Sequence, residues 1–213
     1  MTPDTSRSMP HKGYSLQRCS TYSSQSWQHW DGAVGMELTA ALLDLCKGVA
    51  QPIIAIDGPA GGGKTTLAQN LALAFATSLS TTVIHMDDLY DGWDGALDGD
   101  FSSVLSDIVG LHKKSENISY SSYNWSTEKF DESKEVPRTQ LLILEGVGSG
   151  QSSIRASLAA LIWIDINDSQ GLARVIARDG ESIRVPMEKW LTLQEQHFRV
   201  EGTQNAADFI LTT

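Results

Sequence analysis

The chain has 213 residues, 41% hydrophobic and 20% charged, which suits a single domain with a sizeable core. A formal net charge of −10 argues against the extended basic surface that nucleic-acid binding requires, and no apolar run is long enough to span a membrane. The two cysteines, Cys19 and Cys46, show no metal-ligand spacing and read as free thiols of a reducing, cytoplasmic protein.

The first thirty residues hold ten Ser or Thr and a single Leu, Ile or Val, Leu16. Such a segment cannot bury enough apolar surface to order itself, so residues 1–34 read as a flexible polar tail and 35–213 as the domain. The segment also has the Arg- and Ser-rich, acid-poor composition of a transit peptide, and Met36 is a candidate alternative start. Helical spacing of Leu38, Ala41, Leu42 and Leu45 predicts a helix over 36–46. "PIIAID" (52–57) reads as a strand, 64–79 as an amphipathic helix, "TTVIHM" (81–86) as a strand and 101–112 as a helix. Residues 113–139 are polar and read as irregular. "QLLILEG" (140–146) is a third strand. Residues 154–166 give a helical start and a fourth strand, 169–180 and 186–198 two helices, and "ADFILT" (207–212) a last strand. Strands that are apolar throughout and alternate with helices predict a three-layer α/β fold around a five-stranded parallel sheet.

Between the first strand and its helix lies "GPAGGGKT", a G-x-x-x-x-G-K-S/T loop from Gly58 to Thr65. Gly58, Gly61, Gly62 and Gly63, with Ala60, let the backbone curl so that its N–H groups can meet phosphate oxygens. The following helix points its positive end at the same place, and Thr66 lies in its first turn. Lys64 supplies a charge for the outer phosphates, and the Thr65 hydroxyl is a Mg²⁺ ligand. ATP is taken as the default nucleotide, and a GTPase-type switch is disfavoured because no guanine-reading N-K-x-D occurs.

Asp87 and Asp88 close the second strand and Glu145 closes the third. In a parallel sheet these acids reach the same edge as the phosphate loop. Asp87 can take a proton from an acceptor hydroxyl, and Glu145 can act toward Mg²⁺. For Asp88, catalysis and simple capping of the next segment both stand. Tyr90, Tyr123 and Trp125 are loop aromatics able to stack on a flat acceptor, whereas Trp93 reads as ordinary packing. Arg174, Arg178 and Arg184 surround a break at Gly180, where a mobile arginine lid can stabilise a transferring phosphoryl group. The alternative is a solvated helix face.

"IAIDGPAGGGKTT", "HMDDLYDGW", "YNW", "LLILEGV" and "ARVIARDGES", in this order, resemble the uridine kinase-like branch of P-loop kinases over about residues 36–213. The resemblance implies a P-loop NTPase fold of the nucleoside/nucleotide kinase type, with ATP and Mg²⁺ as cofactors and a nucleoside such as uridine as acceptor. It implies that Asp87 is the general base, that Tyr90 lies against the nucleoside, and that Tyr123, Asn124 and Trp125 line its pocket. It also implies that Glu145 lies near the metal and Arg178 belongs to the lid. Asn124 stands where that family has Asp, and the long basic lid of well-studied uridine kinases is missing.

The expected activity is therefore phosphoryl transfer to a small hydroxyl-bearing molecule, with Arg184 among the acceptor contacts. A nucleoside monophosphate kinase would need cations beside Asp87, and residues 86–111 contain no Lys or Arg. A non-catalytic ATP-binding regulator is the third reading, disfavoured by the aromatic loop. No sequence feature sets the oligomeric state.

Overall fold

The computed structural model describes residues 32–213. Five parallel strands form the central sheet: β1 (Ile53–Asp57), β2 (Thr81–His85), β5 (Leu141–Glu145), β6 (Ala160–Asp165) and β7 (Phe209–Thr212), in the order β2-β5-β1-β6-β7. The interior strands are apolar up to the acid that closes each, because successive side chains feed two different cores. Ile53, Leu142 and Leu144 face one core, while Ile54, Ile56, Leu141, Ile143 and Ile162 face the other. β2 lies at an edge and is only partly buried, which matches its "TTVIH" composition.

One layer contains α1 (Gly32–Cys46) and α2 (Lys64–Phe75), which bury Leu42, Leu67, Leu71 and Phe75. The other contains α3 (Gly99–Lys113) and α6 (Arg184–Glu201), which bury Phe101, Leu105, Met187 and Trp190. α4 (Ser152–Arg155), α5 (Asp168–Asp179) and α7 (Thr203–Ala206) complete the set. α3 begins earlier than the sequence predicts because Asp98 accepts hydrogen bonds from the N–H groups of Asp100 and Phe101 at 2.9 and 3.0 Å. No helix among the described residues is long and apolar enough to cross a membrane.

Two expectations change. Residues 113–139 are not irregular: β3 (Ile118–Asn124) and β4 (Lys129–Val136) form an antiparallel hairpin. β3 alternates, with Ile118, Tyr120 and Ser122 turned inward, but its serines hide the apolar period. β4 is polar and mostly exposed, so ladder hydrogen bonds and its partner strand hold it. The first helix starts at Gly32, inside the segment expected to be tail. The rest of that tail, Cys19 and the transit-peptide reading lie outside the described residues.

Candidate active site

The phosphate-loop motif, Asp87 and Glu145 converge for a topological reason. β2 and β5 run parallel with His85 beside Glu145, and β1 and β5 run parallel with Ile56 beside Glu145. The loop after β1, the 3-10 turn Met86–Asp88 after β2 and the end of β5 therefore share one edge. They bound a cavity of about 440 Å³.

Ala60, Gly61, Gly63, Lys64, Thr65 and Thr66 line its phosphate-loop end. Gly63 has φ 94°, no neighbour where a side chain would begin, and no side-chain cap over the first N–H groups of α2. That leaves the positive end of α2 free for an anion. Gly58 and Gly62, expected to touch nucleotide, do not line the cavity. Gly58 has φ 134°, and a Cβ there would lie 2.3 Å from the Ile164 carbonyl oxygen; at Gly62 a Cβ would lie 3.1 Å from the Ile164 side chain. Both are glycine because the loop lies against β6.

Lys64 is buried and donates to the Gly58 and Pro59 carbonyls at 2.8 and 2.9 Å. Burial pushes its ammonium below the ordinary lysine range, and Glu145, Asp57 and Asp87 oppose that shift. Arg174 donates to the Gly61 carbonyl at 3.3 Å and to Thr213 Oγ1 at 3.1 Å, so it braces the loop against the end of β7. Arg178 lines the cavity, and its guanidinium is held by Asp179 at 2.7 and 2.8 Å. Arg184 is not in the cavity; it is paired with Glu181 on the outside.

Asp87 lines the cavity, and burial followed by the nearby Glu145 raises its carboxyl above the ordinary range; Lys64, His85 and Arg178 offset part of this. Buried Glu145 accepts from Thr65 Oγ1 at 3.0 Å and is in short contact with His85 Nδ1. That contact holds the His85 pKa up. Thr65 and Glu145 are oxygen donors of the kind Mg²⁺ prefers, leaving further positions for phosphate oxygens and water. No group of three or more His, Cys, Asp or Glu suited to a metal occurs among the described residues.

Asp88 has a different task. It accepts from Ser122 Oγ at 3.1 Å, Tyr120 OH at 3.3 Å and Lys134 Nζ at 2.9 Å, and so ties the hairpin to the turn that carries Asp87.

The far end of the cavity is aromatic. Tyr90, Trp93, Trp125 and Trp190 line it with Ile183 and Met187. Tyr90 is buried between Phe101 and Trp190, at centroid distances of 5.3 and 5.2 Å, and its hydroxyl donates to the Val147 carbonyl at 2.7 Å. Trp125 donates its indole N–H to the Asp87 carbonyl at 3.0 Å. Tyr123, expected in this wall, stands behind it: its ring packs edge-on against Trp125 and Phe130, both at 5.2 Å. Asn124 is a turn former, accepting from the N–H groups of Ser126 and Thr127 at 3.0 and 3.3 Å.

Trp93, Trp190, His85 and Asp57 were not singled out by sequence for this site. Met187, Trp190 and Gln194 are the buried positions of α6, a spacing that reads as core until the cavity is seen. Asp57 is fully buried and accepts from the N–H groups of Gly58, Gly148 and Gly150 at 2.7, 3.1 and 2.9 Å. It joins the phosphate loop to the loop after Glu145. Burial outweighs those bonds and pushes its carboxyl up to about 6. Gln194 accepts from the Ala60 N–H at 3.0 Å and holds the same loop from α6.

No family model and no curated protein matches the chain. Solved structures do. A Bacillus stearothermophilus protein provisionally assigned as a uridine kinase superposes with a TM-score of 0.58 at 20% identity, covering 83% of this chain and 100% of its own. A Silicibacter sp. TM1040 protein provisionally assigned as a fructose transport system kinase superposes with a TM-score of 0.65 at 16% identity, covering 83% and 98%. The chain has the α/β fold of P-loop kinases.

Proposed function

We propose that the chain transfers a phosphoryl group from ATP to the hydroxyl of a small acceptor. The observation that carries this reading is the shared cavity. A loop built for phosphate forms one end, aromatic rings form the other, and Asp87 lies on its wall beside Glu145. Anion-binding N–H groups and Lys64 would hold the polyphosphate. Thr65 and Glu145 would hold Mg²⁺, which when bound supplies positive charge to the phosphate oxygens. Asp87 would accept the acceptor proton, its raised pKa making it a stronger base than an exposed aspartate. Arg178 would face the transferring group from the lid side, and the aromatic rings would exclude water and seat the acceptor.

A nucleoside acceptor, as the sequence resemblance implies, would place its flat ring against Trp93 or Trp125. A phosphate-bearing acceptor is the weaker reading. The cations lining the cavity are Lys64, Arg174 and Arg178, and each is engaged at the phosphate-loop end or by Asp179.

The test is ADP release measured across nucleosides, nucleoside monophosphates, sugars and pantothenate-like alcohols, with the wild type and Lys64→Ala. Release with a hydroxyl acceptor is expected, and its loss in the variant. Activity confined to monophosphates would overturn the acceptor class; unchanged turnover in Lys64→Ala would overturn the phosphate-loop assignment.

A further inference from the structure

The aromatic chamber carries more than a general preference for flat molecules. This inference rests on the phosphotransfer reading and narrows its acceptor. Trp93 meets Trp125 at 5.2 Å and 65°, and Trp190 at 6.1 Å and 78°. Ring planes that cross so steeply wall the chamber from different directions and form no parallel slot for one base. Two of the four polar tips are spent, and those of Trp93 and Trp190 can only donate. The Tyr90 hydroxyl is bound to the Val147 carbonyl and the Trp125 N–H to the Asp87 carbonyl.

Among the described residues, no Asn, Gln, Ser or His side chain lines the cavity. A uracil ring would bring its own donors and acceptors into this chamber and find few side chains to meet them. Burying such groups unpaired opposes binding. The charges also sort by position. Lys64 is held on the phosphate-loop carbonyls, Arg174 braces the same loop, and Arg178 is held by Asp179. Glu145 is occupied by Thr65 and His85. Asp87, a carboxylate on the cavity wall, adjoins Trp125 through its own carbonyl.

Crossed aromatic faces next to a carboxylate attract positive charge, most favourably a cation with no N–H to satisfy. We infer that the acceptor is a small alcohol carrying a fixed, N–H-free positive charge, quaternary ammonium or pyridinium in type, seated among Trp93, Trp125 and Trp190. In the reaction its hydroxyl oxygen would form the new bond to the γ-phosphorus as the bond to the β-γ bridging oxygen breaks. ADP would leave, and Asp87 would receive the hydroxyl proton.

Choline and its uncharged isostere 3,3-dimethylbutan-1-ol separate charge from shape, and uridine supplies the base-edge alternative. The full chain is titrated with each, with and without Mg²⁺ and a non-hydrolysable ATP analogue. The ligand proton signals are followed by NMR, and analogue binding is measured separately by calorimetry. Choline is expected to bind at least about tenfold more tightly than the isostere, with its methyl signals shifted upfield by the rings. Trp125→Leu, and independently Trp93→Leu, keep an apolar wall but lose the ring face; each is expected to bring the two affinities within about threefold. Equal affinities in the wild type, uridine binding more tightly than choline, no choline binding, or a preference that survives both Leu variants would overturn the inference. Lys64-dependent ADP release with uncharged alcohols alone would sink the charge preference and leave phosphotransfer standing. A cation preference in a protein that binds no ATP analogue would do the reverse.

Discussion

Asp88→Ala separates the two neighbouring acids. Asp88 accepts two neutral hydrogen bonds, from Ser122 at 3.1 Å and Tyr120 at 3.3 Å, and one from Lys134 at 2.9 Å. Each neutral bond contributes about 1 kcal/mol, the longer one less. The Lys134 pair is partly exposed, with side-chain exposures of 39% and 20%, so solvent screening limits it to about 0–1 kcal/mol. The sum is about 1.5–2.5 kcal/mol, concentrated on a hairpin whose second strand is mostly exposed. At 1.4 kcal/mol per factor of ten, local opening of the hairpin becomes roughly 10- to 60-fold more frequent. Amide hydrogen exchange reads this directly: protection falls in β3 and β4 while β1 and β5 hold theirs. Trp125 follows β3 immediately, so the acceptor KM rises more than kcat falls. Unchanged protection in the hairpin would refute the anchoring role. An equal fall in β1 and β5 would show that Asp88 supports the whole fold.

Asp87→Asn is expected to cut turnover by about a hundredfold or more while leaving ATP-analogue affinity within about threefold, as measured by steady-state rates and calorimetry. The wild-type acid limb follows from the same residue. Burial and Glu145 hold the proton on Asp87, so kcat/KM rises with pH through a value above the ordinary carboxylate range; a limb at an ordinary aspartate pKa would contradict the assignment. Asp57 has the opposite bearing on stability. Its carboxyl moves from 3.8 to about 6 on folding, so between these values the folded chain binds more protons and unfolding free energy falls as pH rises. The decline is about 3 kcal/mol, complete above pH ~6. Asp57→Asn should flatten this part of the stability–pH curve in denaturant titrations, and an unchanged slope would locate the effect elsewhere.

The apolar runs of β1, β5 and β6 and the glycine-rich loop between strand and helix were legible because their signals are local. A strand buried on both faces must be apolar at each position, and a phosphate loop must be rich in glycine. The hairpin was not legible. Its inward face uses Ser122 beside Ile118 and Tyr120, and β4 is polar because it meets water. Asp87 and Glu145 could be placed on one edge from the parallel reading, yet their environments could not. That Glu145 holds Thr65 and His85 depends on the register of β2 against β5. Arg184 and Tyr123 had the right chemistry and the wrong direction: one turns out to Glu181, and the other packs behind Trp125.

Local chemistry thus determined the sheet, the phosphate loop and the acids available to it, because backbone conformation and burial constrain residue type position by position. Only the tertiary structure decided which aromatics face the cavity and how two adjacent aspartates divide their tasks. Trp190 reaches the chamber from a helix about a hundred residues away in sequence from Tyr90. Asp88 binds a hairpin whose existence the sequence did not announce. Contacts of that kind depend on how whole elements pack, and no local pattern of residues encodes them.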